Sequence, residues 1–150
     1  MVDRRFRWWR NFSRRFGQAP VATVVLVAVA GCAAIGGNLT SDTPVETKQA
    51  VVRERAEARW QAIIKGDYPA AYAYLSPASR GVVNAGTFEA RQKGVVTYTG
   101  VKIDTVSCEA AACKVKLWLT YNHKVMKGVT TPAEESWIID GGQAWYVWPG

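Results

Sequence analysis

Apolar residues recur at helical spacing over residues 45–65 and predict one long amphipathic helix. Its apolar stripe consists of Val45, Val52, Ala56, Trp60, Ile63 and Ile64. The charged residues that we expect to face water are Arg53, Glu54, Glu57 and Arg59. Thr43 and Glu46 have the spacing of a capping box, and Pro44 between them suits the first helical position. Gly66 is expected to end the helix.

The pattern changes after this helix. Short helices are predicted over residues 67–75, 77–83 and 87–93, with Phe88 pointing inward. From there on, Val, Ile, Thr, Trp and Tyr alternate with polar residues, as is typical of strands. The predicted strands cover residues 95–106, 113–124, 129–140 and 143–148. Gly141 and Gly142 are expected to form a tight hairpin turn, and helices followed by an antiparallel sheet predict an α+β domain.

Three segments carry a resemblance to a known family. Lys65-Gly66-Asp67-Tyr68 ends the long helix, Ala71-Tyr72-Ala73-Tyr74-Leu75-Ser76 lies in a short helix, and the final strands run from Glu135 to Trp148. In this order they resemble the NTF2-like superfamily over residues 43–149. The resemblance implies a cone in which a curved antiparallel sheet wraps the long helix. Such cones serve as enzymes, ligand binders, dimerisation modules and periplasmic parts of secretion assemblies, so the fold alone does not select a function.

The first 37 residues have the composition of an export segment. Residues 1–18 contain six arginines and one aspartate, and residues 20–30 are apolar. Val29, Ala30 and Gly31 then precede Cys32. This order resembles a bacterial lipoprotein signal, in which the cysteine receives acyl chains and becomes the first mature residue. We therefore predict Cys32 as a lipid attachment site.

An uncleaved anchor is the alternative for the same segment. The apolar stretch continues past Cys32, so residues 19–37 could form a transmembrane helix, which needs about 20 residues. Arginines on one side of such a segment keep that side cytoplasmic. Both hypotheses place a domain of residues 43–150, behind a linker of residues 38–42, in the bacterial cell envelope, facing the periplasm or the exterior. The choice between inner and outer membrane stays open.

The location of the charge argues against a nucleic-acid partner. The chain has a net charge of +7, but residues 1–18 alone account for +5. The domain carries 13 basic and 11 acidic side chains and is therefore close to neutral. A protein that binds phosphate backbones through charge needs a basic surface on its folded part.

Cysteine usage agrees with export. Cys108 and Cys113 are separated by four residues, and the flanking segments both alternate as strands do. The two cysteines are expected to face each other across a hairpin and to form a disulfide, which oxidising compartments permit. A zinc site would need more ligands than these two and His123, the one histidine of the sequence. We predict no metal and no cofactor.

Few residues could support catalysis. His123 is expected at a solvated strand end and Asp104 on a solvent-facing position, and we find no second carboxylate or histidine to complete a dyad with either. No residue matches a catalytic pattern of NTF2-like enzymes. We therefore predict that the protein is not an enzyme, and an isomerase or dehydratase activity is the least favoured alternative.

Tryptophans on the predicted strands favour a binding function. Trp118 faces away from Val115, Leu117, Leu119 and Tyr121, which suggests that both sheet faces are partly apolar. The candidate interface comprises Trp118, Trp137, Trp145 and Trp148, although all four could instead fill the core. The leading hypothesis is a membrane-tethered interaction module that binds a protein partner or its own copy as an accessory subunit of an envelope complex. The alternative is a domain that binds a small apolar ligand inside the cone.

Overall fold

The computed structural model describes residues 38–150. Within this range four helices precede four strands: α1 Val45–Lys65, α2 Tyr68–Tyr72, α3 Pro77–Val82, α4 Ala85–Gln92, β1 Thr97–Cys108, β2 Ala112–Asn122, β3 Val129–Asp140 and β4 Gln143–Tyr146. The strands form an antiparallel sheet in the order β1-β2-β3-β4, and α1 packs on it. The α+β prediction is confirmed, and the arrangement is the one that the NTF2-like resemblance implies.

The predicted signal or anchor, residues 1–37 with Cys32, lies outside the described residues. In the range 38–150, no helix has both the length and the apolar character needed to span a bilayer. The expected linker, residues 38–42, contacts the domain. Leu39 is buried, and its N–H donates to the carbonyl oxygen of Gly142 at 3.0 Å. Gly142 has a φ of 82° and lies against Asn38, so a side chain there would be both strained and blocked.

The two ends of α1 differ in how well the sequence predicts them. The capping box is wrong, because the Thr43 hydroxyl accepts from the Thr40 N–H at 2.9 Å and does not cap the helix. Pro44 occupies the N-cap position instead of the first helical position. The prediction for Gly66 is confirmed: it adopts a φ of 78° and its N–H donates to the carbonyl oxygen of Ile63.

A bulge at Asp104 lets β1 keep one apolar face. The register with β2 shifts between Ile103 and Thr105. Val101 and Ile103 before the shift, and Val106 after it, therefore all pack against the core. Arg53 of α1 donates to the carbonyl oxygens of Ile103 and Asp104 at 3.1 and 3.3 Å, which attaches the helix to the bulge.

The turn between β1 and β2 is fixed in two ways. Cys108 and Cys113 are direct partners in the register and form the predicted disulfide, with Cα atoms 4.1 Å apart. Lys48 of α1 is buried, and its ammonium group donates to the carbonyl oxygens of Ala110 at 2.8 Å and Ser41 at 2.5 Å. The ammonium therefore ties the turn and residues 38–42 to the start of α1.

A buried ion pair joins α1 to β3 in the interior. Arg59 is 1% exposed and Glu135 is 5% exposed, and the guanidinium donates to Glu135 Oε1. The indole of Trp60 donates to the same oxygen at 2.7 Å, and that of Trp137 donates to Oε2 at 3.0 Å. The guanidinium carbon also lies 4.0 Å from the centre of the Tyr146 ring. We call these five residues the interior network.

The prediction that Arg59 faces water is therefore wrong. Val52, Ala56, Arg59 and Ile63 follow the spacing of one helical face, and all four are buried. A carboxylate on the facing strand makes this burial possible, since an isolated charge would be too costly to desolvate. Glu135 lies two residues before Trp137 and therefore on the same, inward face of β3. The spacing of Arg59 along α1 and the alternation of Glu135 along β3 thus both indicated burial.

We predict that removing one charge of this pair destabilises the fold strongly. Arg59→Met or Glu135→Leu leaves the other charge buried without its partner, which should lower the free energy of unfolding by about 3–5 kcal/mol. The double variant should recover much of this loss, because neither charge then remains. Denaturant titration followed by tryptophan fluorescence measures all three values.

The matched control is the exposed pair of Lys114 and Glu134 on the other sheet face, whose side chains are 2.8 Å apart. Lys114→Met and Glu134→Leu should change stability little, because solvent screens that pair. If the losses of Arg59→Met and Glu135→Leu simply add in the double variant, the two buried charges are not coupled.

We also predict an alkaline loss of stability that depends on Tyr146. Burial raises the pKa of Tyr146 above its ordinary value of 10.0. The folded state thus holds the phenolic proton more strongly than the unfolded chain does, and this stabilisation is complete only below about pH 10. As the pH rises further, the wild type should lose stability faster than Tyr146→Phe. Unfolding midpoints between pH 8 and pH 11 measure the difference, and parallel curves would refute it.

Candidate functional site

The outer face of the sheet, which points away from α1, carries one exposed tryptophan in polar surroundings. Trp118 is 42% exposed. Its register partners are Lys102 on β1 and Pro132 on β3, and the next positions along β2 on this face are Lys116 and Thr120. The opposite face of β2 is buried, as predicted. The outward positions also include Pro132 and the half-buried register partners Ile138 and Trp145, so this face is partly apolar, as expected, and otherwise polar.

A depression of about 360 Å³ lies beside this tryptophan. It is lined by Asp104, Lys116, Leu117, Trp118, Pro132, Ala133 and Glu134. The Lys114 ammonium, hydrogen-bonded to Glu134, lowers the pKa of that carboxyl. An aromatic side chain with charged neighbours of both signs has the composition of a protein-binding hot spot with its polar rim. We call this surface the Trp118 site.

Trp137 belongs to the core and not to a surface. It is 1% exposed, and its indole nitrogen is bonded to Glu135. Its ring lies 5.9 Å from that of Tyr146, its register partner on β4. This burial removes Trp137 from the candidate interface, because a partner cannot reach a side chain enclosed between α1 and the sheet.

The other two tryptophans lie at the β4 edge and after it. Trp145 donates to the carbonyl oxygen of Asp140 at 3.0 Å, and the guanidinium carbons of Arg55 and Arg80 lie 5.5 and 5.3 Å from its ring centre. Both contacts hold the indole against the helices.

Trp148 is half-buried and packs edge-on against Phe88 of α4, with ring centres 5.5 Å apart. Its backbone N–H donates to the Ser79 hydroxyl at 3.0 Å. Trp148 therefore helps to pack α4 onto the domain. The four tryptophans do not share one surface.

The structure does not bring together the two residues considered for catalysis. Asp104 is exposed at the bulge of β1, and His123 is half-buried after the far end of β2. Along the strand direction, Asp104 and His123 are about six residues apart, which corresponds to about 20 Å. Within residues 38–150, no cluster of three or more His, Cys, Asp or Glu side chains is placed to hold a metal ion.

Of the charged residues that line the Trp118 site, the sequence pointed to Asp104, as a candidate for catalysis, and not to Lys116 or Glu134. Lys116 and Glu134 each follow the alternation of their own strand, so the sequence predicts that both lie on the outer face of the sheet. Their proximity depends on the pairing of Lys116 with Glu134 between β2 and β3, which no local pattern specifies. The bulge that brings Asp104 into the same depression is likewise a feature of the paired strands.

Comparisons with known proteins place the domain by its fold. No family model matches the sequence, and no curated protein matches it. The solution structure of a SEC-C motif containing protein from Rhodopseudomonas palustris has a TM-score of 0.50 and 11% identity, covering 60% of this chain and 70% of that one. The crystal structure of a protein described as an NTF2-like transpeptidase from Campylobacter jejuni has a TM-score of 0.49 and 10% identity, covering 65% and 97%. At 11% identity, the likeness to the first protein concerns the fold alone.

Proposed function

We propose that the protein is a membrane-tethered, extracytoplasmic NTF2-like interaction module that acts as an accessory subunit of an envelope protein complex. The Trp118 site carries the proposal. An indole left 42% exposed at the centre of a sheet face gains free energy when a partner covers it. Its charged rim would orient a protein partner or a second copy of the chain.

The interior favours this proposal over a small-ligand function. In a cone-shaped domain, a ligand would lie between the long helix and the sheet. Here the interior network occupies the middle of that space, with Arg59, Glu135 and Trp137 all at most 5% exposed, and an open cleft of about 230 Å³ remains at the end of α1. A ligand that entered between them would have to break hydrogen bonds to a buried carboxylate, which is costly.

The tether is supported by the sequence of residues 1–37 and by the cysteine pair. A disulfide between Cys108 and Cys113 is typical of proteins exported to an oxidising compartment. The cationic start, the apolar stretch and Cys32 supply the export segment.

Intact mass spectrometry of the membrane-extracted protein tests the tether. A mature chain that begins at Cys32 and carries acyl chains would establish the lipoprotein form. A chain of full length that stays in the membrane fraction after alkaline washing would establish the anchor. Recovery of the full-length chain in the soluble cytoplasmic fraction, with free thiols at Cys108 and Cys113, would refute both forms.

Trp118→Ala tests the interaction surface. We expect it to weaken self-association or partner binding by about thirtyfold, the effect of losing one hot-spot residue. Molar mass in detergent measures self-association, and co-purification from envelope extracts measures partner binding. Val82→Ala is the matched control, because Val82 is 80% exposed on α3 and lies outside the Trp118 site. If neither measurement separates the two variants, the Trp118 site is not the interface.

A further inference from the structure

The loop between β2 and β3 presents two apolar side chains to solvent. Val125 is 82% exposed and Met126 is 53% exposed, and Lys124 and Lys127 flank them. The loop is a closed turn, because the His123 N–H donates to the carbonyl oxygen of Met126 at 2.8 Å. The Gly128 N–H also donates to the side-chain oxygen of Asn122 at 2.9 Å. The loop is therefore already ordered, and binding through its tip, Val125 and Met126, would cost little further conformational entropy.

Further apolar and cationic groups lie at the same end of the sheet. Thr97 pairs with Asn122, so Val95, which is 74% exposed and precedes β1, lies at the level of this loop. A cleft of about 230 Å³ opens beside it, between the ends of α1 and α4 and the start of β1. Two exposed lysines, Lys65 and Lys93, line this cleft together with Tyr68 and Tyr98. We call the group of Lys65, Lys93, Lys124, Lys127, Val95, Val125 and Met126 the basic end.

Two carboxylates lie near the four lysines of the basic end, so four positive and two negative charges leave it a net charge of +2. Asp67 accepts from the Ala70 N–H at 3.1 Å and caps α2, and Glu89 pairs with Lys93 at 2.5 Å. The opposite end of the domain, where residues 38–42 and the two hairpin turns lie, has the reverse sign. Its acidic residues are Asp42, Glu46, Glu109 and Asp140, and the buried ammonium of Lys48 offsets one of these charges. A domain that is almost neutral overall is thus polarised along α1.

We propose that the basic end is a docking surface for a bilayer with anionic headgroups. Val125 and Met126 would enter the boundary between headgroups and acyl chains, and the surrounding lysines would pair with lipid phosphates. An acidic protein surface would need a pocket shaped to the protruding tip, whereas a fluid headgroup layer adapts to it, which favours the bilayer.

Docking would set the orientation of the domain. α1 has 21 residues and spans about 32 Å, so the basic end lies about one helix length from residue 38. In a chain held to a membrane through residues 1–37, contact at the basic end would lay α1 along the bilayer. This consequence rests on the proposed tether, but the docking surface itself does not.

Oxidation of Met126 provides a local test in the full chain. The chain has two methionines, Met1 and Met126, so peptide mass spectrometry assigns the site without ambiguity. The protein is mixed with vesicles of phosphatidylcholine alone or of phosphatidylcholine with phosphatidylglycerol, and exposed to hydroxyl radicals. We expect Met126 to be oxidised more slowly on the anionic vesicles, and high salt to abolish the difference.

Charge-reversal variants show whether the protection comes from this end. Lys124→Glu combined with Lys127→Glu should abolish the protection and weaken partitioning of the domain by about tenfold or more. Arg80→Glu combined with Lys102→Glu makes the same charge change at exposed positions outside both the basic end and the Trp118 site, and should leave the protection intact. Both pairs are exposed, so neither change removes a core contact.

Three results would overturn the inference. Equal oxidation of Met126 on both vesicle types excludes anionic lipid as the ligand and leaves the basic end to an acidic protein partner. If the two variant pairs have equal effects, the attraction to anionic vesicles comes from the net charge of the chain and not from the basic end. Protection that persists in Lys124→Glu/Lys127→Glu assigns the contact to another part of the protein. Because mass spectrometry tests the tether separately, failure of the tether and failure of the docking surface are distinguishable.

Discussion

The contact between Arg59 and Glu135 is the constraint on which the rest of the domain depends. It joins the long helix to the third strand across 76 residues of sequence, in a region where both side chains are removed from water. Burial of a charge pair costs less free energy when its remaining hydrogen-bonding groups are satisfied. Trp60 and Trp137 satisfy the carboxylate, one from each element, whereas Arg59 Nε has no hydrogen-bond partner among the described residues. The pair therefore fixes how α1 lies on the sheet as well as how closely it packs.

A filled interior moves recognition to the surface of the domain. Arg59, Glu135 and the indoles around them occupy the volume that a ligand-binding cone would leave open, and the exposed features are found elsewhere. Trp118 stands on the outer face of the sheet, and the Val125–Met126 tip lies at the end of the sheet with its flanking lysines. Because these features lie on a face and at an end, one copy could contact a bilayer and a protein partner at the same time.

Much of the fold could be predicted from local patterns. β3 has the predicted bounds of residues 129–140, and Cys108 faces Cys113 because the short turn between β1 and β2 fixes the register of that hairpin. The predictions from local patterns fail where a residue can adopt two local geometries or bond to two different groups. Thr43 bonds to Thr40 instead of capping α1, and Asp104 takes up an extra position that the alternation of β1 does not reveal. In both cases the sequence allows two local geometries and the packed chain selects one.

The sequence by itself determined the α+β order of elements, the cysteine pairing, the Gly66 helix end and the outward direction of Trp118, because each depends on neighbours within a few residues. Only the tertiary structure decided which tryptophans are buried and whether Arg59 meets water or a carboxylate. It also decided that lysines from the end of α1, the C-cap of α4 and the β2–β3 loop gather at one end of the domain. These properties depend on distances between residues far apart in the chain, and folding sets those distances through the total packing free energy.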